Sequence, residues 1–171
     1  MRGARTAQGV CLGIAVCLLV GCAQLGWRFG ERPLRLTDVR GEGDAPRRAS
    51  LQLVLEGLDA DAVDDARRAR GSYDRAIQVD PTNPYAYLAL ARHEVDGTQP
   101  DRALPFLDRV EALLSAHGDL SPGVEVHLIG LRGQAYYASG RIDQGVTLLE
   151  EARVRAPVVW SDGHLSAEEL R

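Results

Sequence analysis

The sequence predicts an all-α protein, and three observations predict it. Apolar residues recur at three- and four-residue intervals from Ser50 to Pro157, the spacing of helices with one buried face. Prolines and glycines fall between these stretches and punctuate them. No alternating run bounded by hairpin turns occurs, so almost no sheet is expected.

Six helices follow in order. Leu51, Val54, Leu55 and Leu58 fall at i, i+3, i+4 and i+7. Ala62, Ala66, Ala69, Tyr73, Ala76 and Ile77 make a second stripe, which Asp80-Pro81-Thr82-Asn83-Pro84 breaks. Asn83 suits a cap and Pro84 a first helical position. Tyr87, Leu88, Leu90, Ala91 and Val95 form the third helix, ended at Gly97. Pro100 opens the fourth, with Ala103, Leu104, Leu107, Val110 and Leu114 inward. Ser121-Pro122 is another cap-plus-proline start. It precedes Val124, Leu128, Ile129, Leu131, Ala135 and Tyr136, and Gly140 closes that helix. Ile142, Val146, Leu149, Ala152 and Val154 make the sixth, stopped by Pro157.

Ahead of the helices lies a different pattern. Met1 to Arg5 is basic, and Val10 to Val20 is apolar apart from Gly13. These are the parts of a secretory signal. The run is shorter than the ~20 residues a bilayer-spanning helix needs. Leu19-Val20-Gly21-Cys22 resembles the lipobox of bacterial lipoproteins. The resemblance implies that residues 1–21 are removed and that Cys22 becomes a first residue carrying two or three acyl chains. Ala23, where an inner-membrane lipoprotein tends to have aspartate, points to the outer membrane with the body facing the periplasm. Sorting rules differ between bacterial groups, so the inner membrane stays open. Residues 22–48 read as lipidated start and tether, since Arg40 to Arg48 is rich in Gly, Pro and charge. Trp27, Phe29, Leu34 and Leu36 interrupt it and leave two readings: a short docked or partner-bound segment, or side chains lying loosely at the membrane face or on the domain.

The six helices pair into units of about 34 residues, near 50–81, 84–117 and 122–157. Their residues resemble the tetratricopeptide repeat family. Gly133-x-x-Tyr136, Gly140, Ala152 and Pro157 match its step, its inter-helix glycine and its small and closing positions. Tyr73-x-x-Ala76 with Asp80-Pro81-x-Asn83-Pro84 is typical of a repeat end. Gly145 stands where alanine is usual. Two departures are extra loop residues near Asp59 to Asp65, and His117 to Ser121 where a closing proline would fall. The resemblance implies a right-handed α-solenoid over residues 49–158, followed by a tail, 159–171, with a short capping helix.

Composition narrows the function. Cys11, Cys17 and Cys22 are all in the signal or at its cut, so disulfides cannot staple the body. Every basic residue is arginine, scattered among acids. Loss of Arg2 and Arg5 with the signal moves the formal charge from -4 to -6, which argues against nucleic acid and anionic head groups. His93, His117, His127 and His164 have no zinc spacing. No Gly-x-Ser-x-Gly elbow or phosphate loop occurs. Asp162-Gly163 to Glu169 looks like half a calcium loop, but Val158 and Trp160 would stand at its first ligand positions. Ser166-x-x-Glu169 reads better as a capping box, with Trp160 and Leu165 covering the open end of the last repeat. No catalytic residue, metal, cofactor or small-molecule substrate is expected.

In the resembled family the first helix of each repeat lines a concave, peptide-binding face. Mapped here, those positions are Tyr85, Arg92, His127, Gln134 and Tyr137. Aromatic residues and arginine carry interface energy when buried. The expectation is a scaffold or adaptor that recruits another envelope protein or peptide segment, held to the membrane by acyl chains on Cys22. The alternative is a permanent structural or assembly subunit of an envelope machine for pilus, secretion or outer-membrane assembly. A tail capping the last repeat favours the scaffold, and an exposed apolar end the subunit.

Overall fold

A computed structural model describes residues 30–171. The signal, the lipobox with Cys22, Trp27 and Phe29 lie outside the described residues. Those described form seven α-helices and one 3-10 turn, with no strand. Helix α1 spans Ala45–Asp61, α2 Ala66–Val79, α3 Pro84–Val95, α4 Ala103–His117, α5 Pro122–Ala138, α6 Ile142–Arg155 and α7 Ala167–Leu170. A 3-10 turn, Pro100–Arg102, leads into α4. The fold is an all-α solenoid. Helices α1/α2, α3/α4 and α5/α6 are hairpins, and the first helices α1, α3 and α5 pack side by side.

Local signals set most boundaries. Asn83 Oδ1 accepts from the Tyr85 N–H at 3.1 Å, with Pro84 in the first turn. Asp65 caps α2 through the Arg68 N–H. Ser121 occupies the position before α5, yet its side chain makes no cap bond. Ala62 lies in the loop and not in α2, because α1 runs to Asp61 and Asp64 turns the chain through φ +59°. Ser50 Oγ donates to Ala76 O and accepts from Asn83 Nδ2, each at 2.8 Å. This buried pair ties the first hairpin to the start of the second. Within the third hairpin, a Cβ on Gly145 would lie 2.6–2.8 Å from the backbone N and Cα of Tyr137. The α5–α6 crossing is thus too close even for the alanine usual there.

The tether expectation fails from Glu31 onward. Asp44 caps a helix that starts at Ala45, accepting from the Arg47 N–H at 3.0 Å, and Pro46 sits in its first turn. A Gly/Pro/charge-rich run concealed a proper helix start. Before it, Leu36 and Val39 are buried. The Leu34 N–H donates to Gly123 O at 3.1 Å, and the Leu36 and Thr37 N–H groups to Leu170 O and Arg171 O at 2.9 and 2.8 Å. Residues 31–40 are a strap bound to the domain.

Candidate functional site

Tyr85 and Arg92 lie on α3, and His127, Gln134 and Tyr137 on α5. The face shared by α1, α3 and α5 is largely occupied by the chain itself. After α6 the tail turns back across it. Trp160 lies fully buried against α5, where Gly130 leaves room for the indole and the His127 ring stands 6.2 Å away. Leu165 is buried next, and its carbonyl accepts from Arg92 Nε at 3.1 Å. Helix α7, opened by the Ser166–Glu169 capping box, then reaches α1. Arg171 ends the path 2.8 Å from Asp59. Trp160 and Leu165 therefore cover the inner face and not the open end of the last repeat. Both groups of the half calcium loop are engaged: Asp162 Oδ1 accepts from the His164 N–H, and Glu169 Oε2 from the Ser166 N–H.

This placement corrects the face mapping for two residues. Arg92 is buried and holds three elements together. Its Nη1 meets Asp61 at the end of α1 at 2.7 Å, its Nη2 meets Asp96 at 2.5 Å, and its Nε takes the tail carbonyl. Asp61 also accepts from Tyr73 Oη and pairs with His93 Nδ1, each at 2.8 Å. Burial pushes the Asp61 carboxyl up. Hydrogen bonds from His93 and Tyr73 and the charges of Arg92 and His93 outweigh burial and hold it below the usual carboxylate range. His127 is fully buried, with Nε2 2.9 Å from Leu34 O in the strap. A carbonyl only accepts, so Nε2 carries the proton. Tyr85 is half-buried against the core, and burial raises its phenol.

Gln134 and Tyr137 have another fate. They border a cleft of about 490 Å³ that the tail leaves open between α5, α6 and the end of α3. Val95, Val146 and Leu149 give it an apolar wall, and Tyr137 is 50% exposed at its mouth. Gln134 Oε1 is buried without a protein partner. Its rim is polar and tied: His164 Nε2 meets Asp96 Oδ1 at 3.0 Å, and Arg153 pairs with Glu150 and donates to Ser161 O at 3.2 Å. The cleft has the chemistry to receive an apolar side chain beside an N–H donor for Gln134. Sequence reasoning missed Val146, Leu149 and the tail's contribution, because a period places residues on a helix face without saying what lies opposite.

Burial depresses the His127 imidazole to about 4, despite the Leu34 hydrogen bond and the charge of Glu169. The sign follows from linkage. Between pH 6.5 and 4 the unfolded chain binds a proton that the folded chain refuses, so stability falls as pH falls. We expect a loss of about 3 kcal/mol across that window, read from urea melts at successive pH values. His127→Gln should flatten that part of the curve. A variant that keeps the same slope would remove His127 as its source.

Among the described residues no cluster of three or more His, Cys, Asp or Glu is placed to hold a metal, and no helix is long and apolar enough to cross a membrane. Compared with family models, curated proteins and solved structures, the chain has no match.

Proposed function

We propose that the protein is a lipid-anchored, tetratricopeptide-like adaptor of the bacterial envelope, most simply of the outer membrane facing the periplasm. It binds a protein segment and performs no chemistry. The lipobox resemblance of Leu19 to Cys22 supports the anchor. The carrying observation for binding is the cleft at Gln134 and Tyr137, apolar inside, polar at its rim and open while the chain's own tail fills the rest of that face. Anchoring at Cys22 would raise the local concentration of the bound client.

The test is a crosslinked pull-down from native membranes with the full chain and its Val146→Asp variant. Val146 is an exposed position, so the melting curve should not move by more than about 0.5 kcal/mol. A dominant envelope partner lost only from the variant is the expected result. A partner retained at full yield would rule the cleft out.

One observation favours the second reading, a permanent assembly subunit. The tail does not cap the last hairpin, and Ile142 stands exposed on α6, with no further hairpin stacked on it among the described residues. Repeat arrays usually carry a polar outer face on the terminal unit. A stoichiometric set of partners that ignores Val146→Asp but responds to Ile142→Asp would select this reading.

A further inference from the structure

The strap fixes where the chain leaves the domain toward Cys22. The Glu31 N–H donates to Arg155 O at 2.7 Å, and the Glu31 carboxylate lies 3.0 Å from Arg155 Nε. Arg155 is held in turn by Glu125 at 2.6 Å. The exit point is therefore the junction of the start of α5 with the end of α6. Only Ala23 to Gly30 separate it from Cys22, and a fully extended chain of that length reaches about 30 Å. Beside this exit stand the two most exposed large apolar side chains of the described residues, Val154 at 78% and Val158 at 88%. Arg32, one residue into the strap, exposes 87% of its side chain and reaches Asp38 only at 3.4 Å. In sequence, Trp27 and Phe29 lie within the short connection itself; aromatic residues of this kind favour the lipid–water interface.

We infer that this end of the domain rests on the bilayer surface. Val154 and Val158 enter the boundary between head groups and acyl chains, and Arg32 faces the phosphates. The inference rests on the reading of Cys22 as lipidated. Its physical basis is that a covalent anchor makes a weak contact effectively intramolecular, so two valines suffice where a free protein would not bind. The body is net acidic and Arg155 faces three carboxylates, Glu31, Glu125 and Glu151, so the contact rests on the two valines and the covalent anchor and not on charge. The client cleft lies toward the opposite end of α5. From Pro122 to Tyr137 that helix rises about 22 Å, which sets Gln134 and Tyr137 back from the lipid, while the Arg153 rim of the cleft adjoins it.

The test uses the full chain reconstituted in phosphatidylethanolamine–phosphatidylglycerol vesicles. The mature body holds no cysteine besides Cys22, so Val154→Cys and Val158→Cys can each carry one fluorophore. Val63→Cys, an exposed site in the α1–α2 loop, is the control. The mass of the N-terminal peptide first establishes whether Cys22 is acylated. The expected result is quenching by lipid-borne doxyl groups several-fold stronger at 154 and 158 than at 63, with matching protection from aqueous iodide. Acylated protein that floats with vesicles but quenches equally at all three sites would overturn the inference and leave the Cys22 reading standing. Protection from iodide without lipid quenching would mean that a second copy covers these residues, which also overturns it. An unmodified Cys22 would remove the anchor reading, and this inference with it.

Discussion

Arg92→Met should cost about 3–5 kcal/mol, because it leaves the buried Asp61 carboxylate without its arginine counter-charge. For a domain of this size that is a drop of roughly 10 °C in melting temperature. The methionine keeps the aliphatic stem, so the loss reports charge and hydrogen bonding and not bulk. Three ties go at once: to Asp61, to Asp96 and to the Leu165 carbonyl. Asp61→Asn in the same chain should recover part of the loss, since the two residues form one network and their effects are not additive. Asp61 lies below its usual range in the folded protein, so its contribution is present above pH 3.8 and disappears as pH falls below that. This acid limb is separate from the pH 6.5–4 limb assigned to His127. An Arg92→Met variant that melts within 1 kcal/mol of the parent would mean that water can replace the guanidinium there.

Trp160→Ala is the second large effect, about 3–5 kcal/mol for truncating a fully buried indole. Its Nε1 has no protein partner, so no protein hydrogen bond is lost and the cost is packing. The loss should appear unevenly. Amides in α7 should exchange with solvent faster than those of α3. Leu36 and Thr37 should follow them, since both donate to carbonyls of the tail. Gly130→Ala should produce the same pattern from the other side, because a Cβ there would fall within the indole ring's van der Waals envelope. Uniform acceleration across all helices would show that the tail and the hairpins open as one unit.

These two residues mark what was legible in the chain. The hairpins were, because helix face and helix end are written locally: Leu51 to Leu58 by spacing, Asn83-Pro84 by cap chemistry, Ser166 to Glu169 by a reciprocal pair. The strap was not, beyond one of the two readings of Leu34 and Leu36. Its Pro and Arg content, followed by Gly41 and Gly43, resembles a linker, and the buried Leu36 and Val39 are too few to form a period. The tail's path was not legible either, since nothing near residue 160 says that it docks on residue 130. A signal did exist at the receiving end. Gly130 sits three residues after His127 on the inward side of α5, and a glycine with a neutral histidine makes a hole for one large ring. The register mapping placed Arg92, His127, Gln134 and Tyr137 on the right helices. It assumed the face to be empty, so it read two buried ties as binding groups and found the open cleft only through Gln134 and Tyr137.

The pairing of Leu36 with Leu170 and Thr37 with Arg171 also constrains the order of assembly. The hairpins are local and can form as each emerges. The cover over α1 comes from residues made after every hairpin; the strap that precedes α1 meets its first partners in the third hairpin, at Gly123, His127 and Arg155, and its Leu36 and Thr37 have none until the tail arrives. The final sealing step therefore joins the two most distant parts of the fold and closes a long loop, which slows folding relative to a plain helical array. Until then Leu51, Val54 and Leu58 have only their neighbouring helices to shield them. A protein of this architecture should depend on folding helpers more than its simple helical content implies.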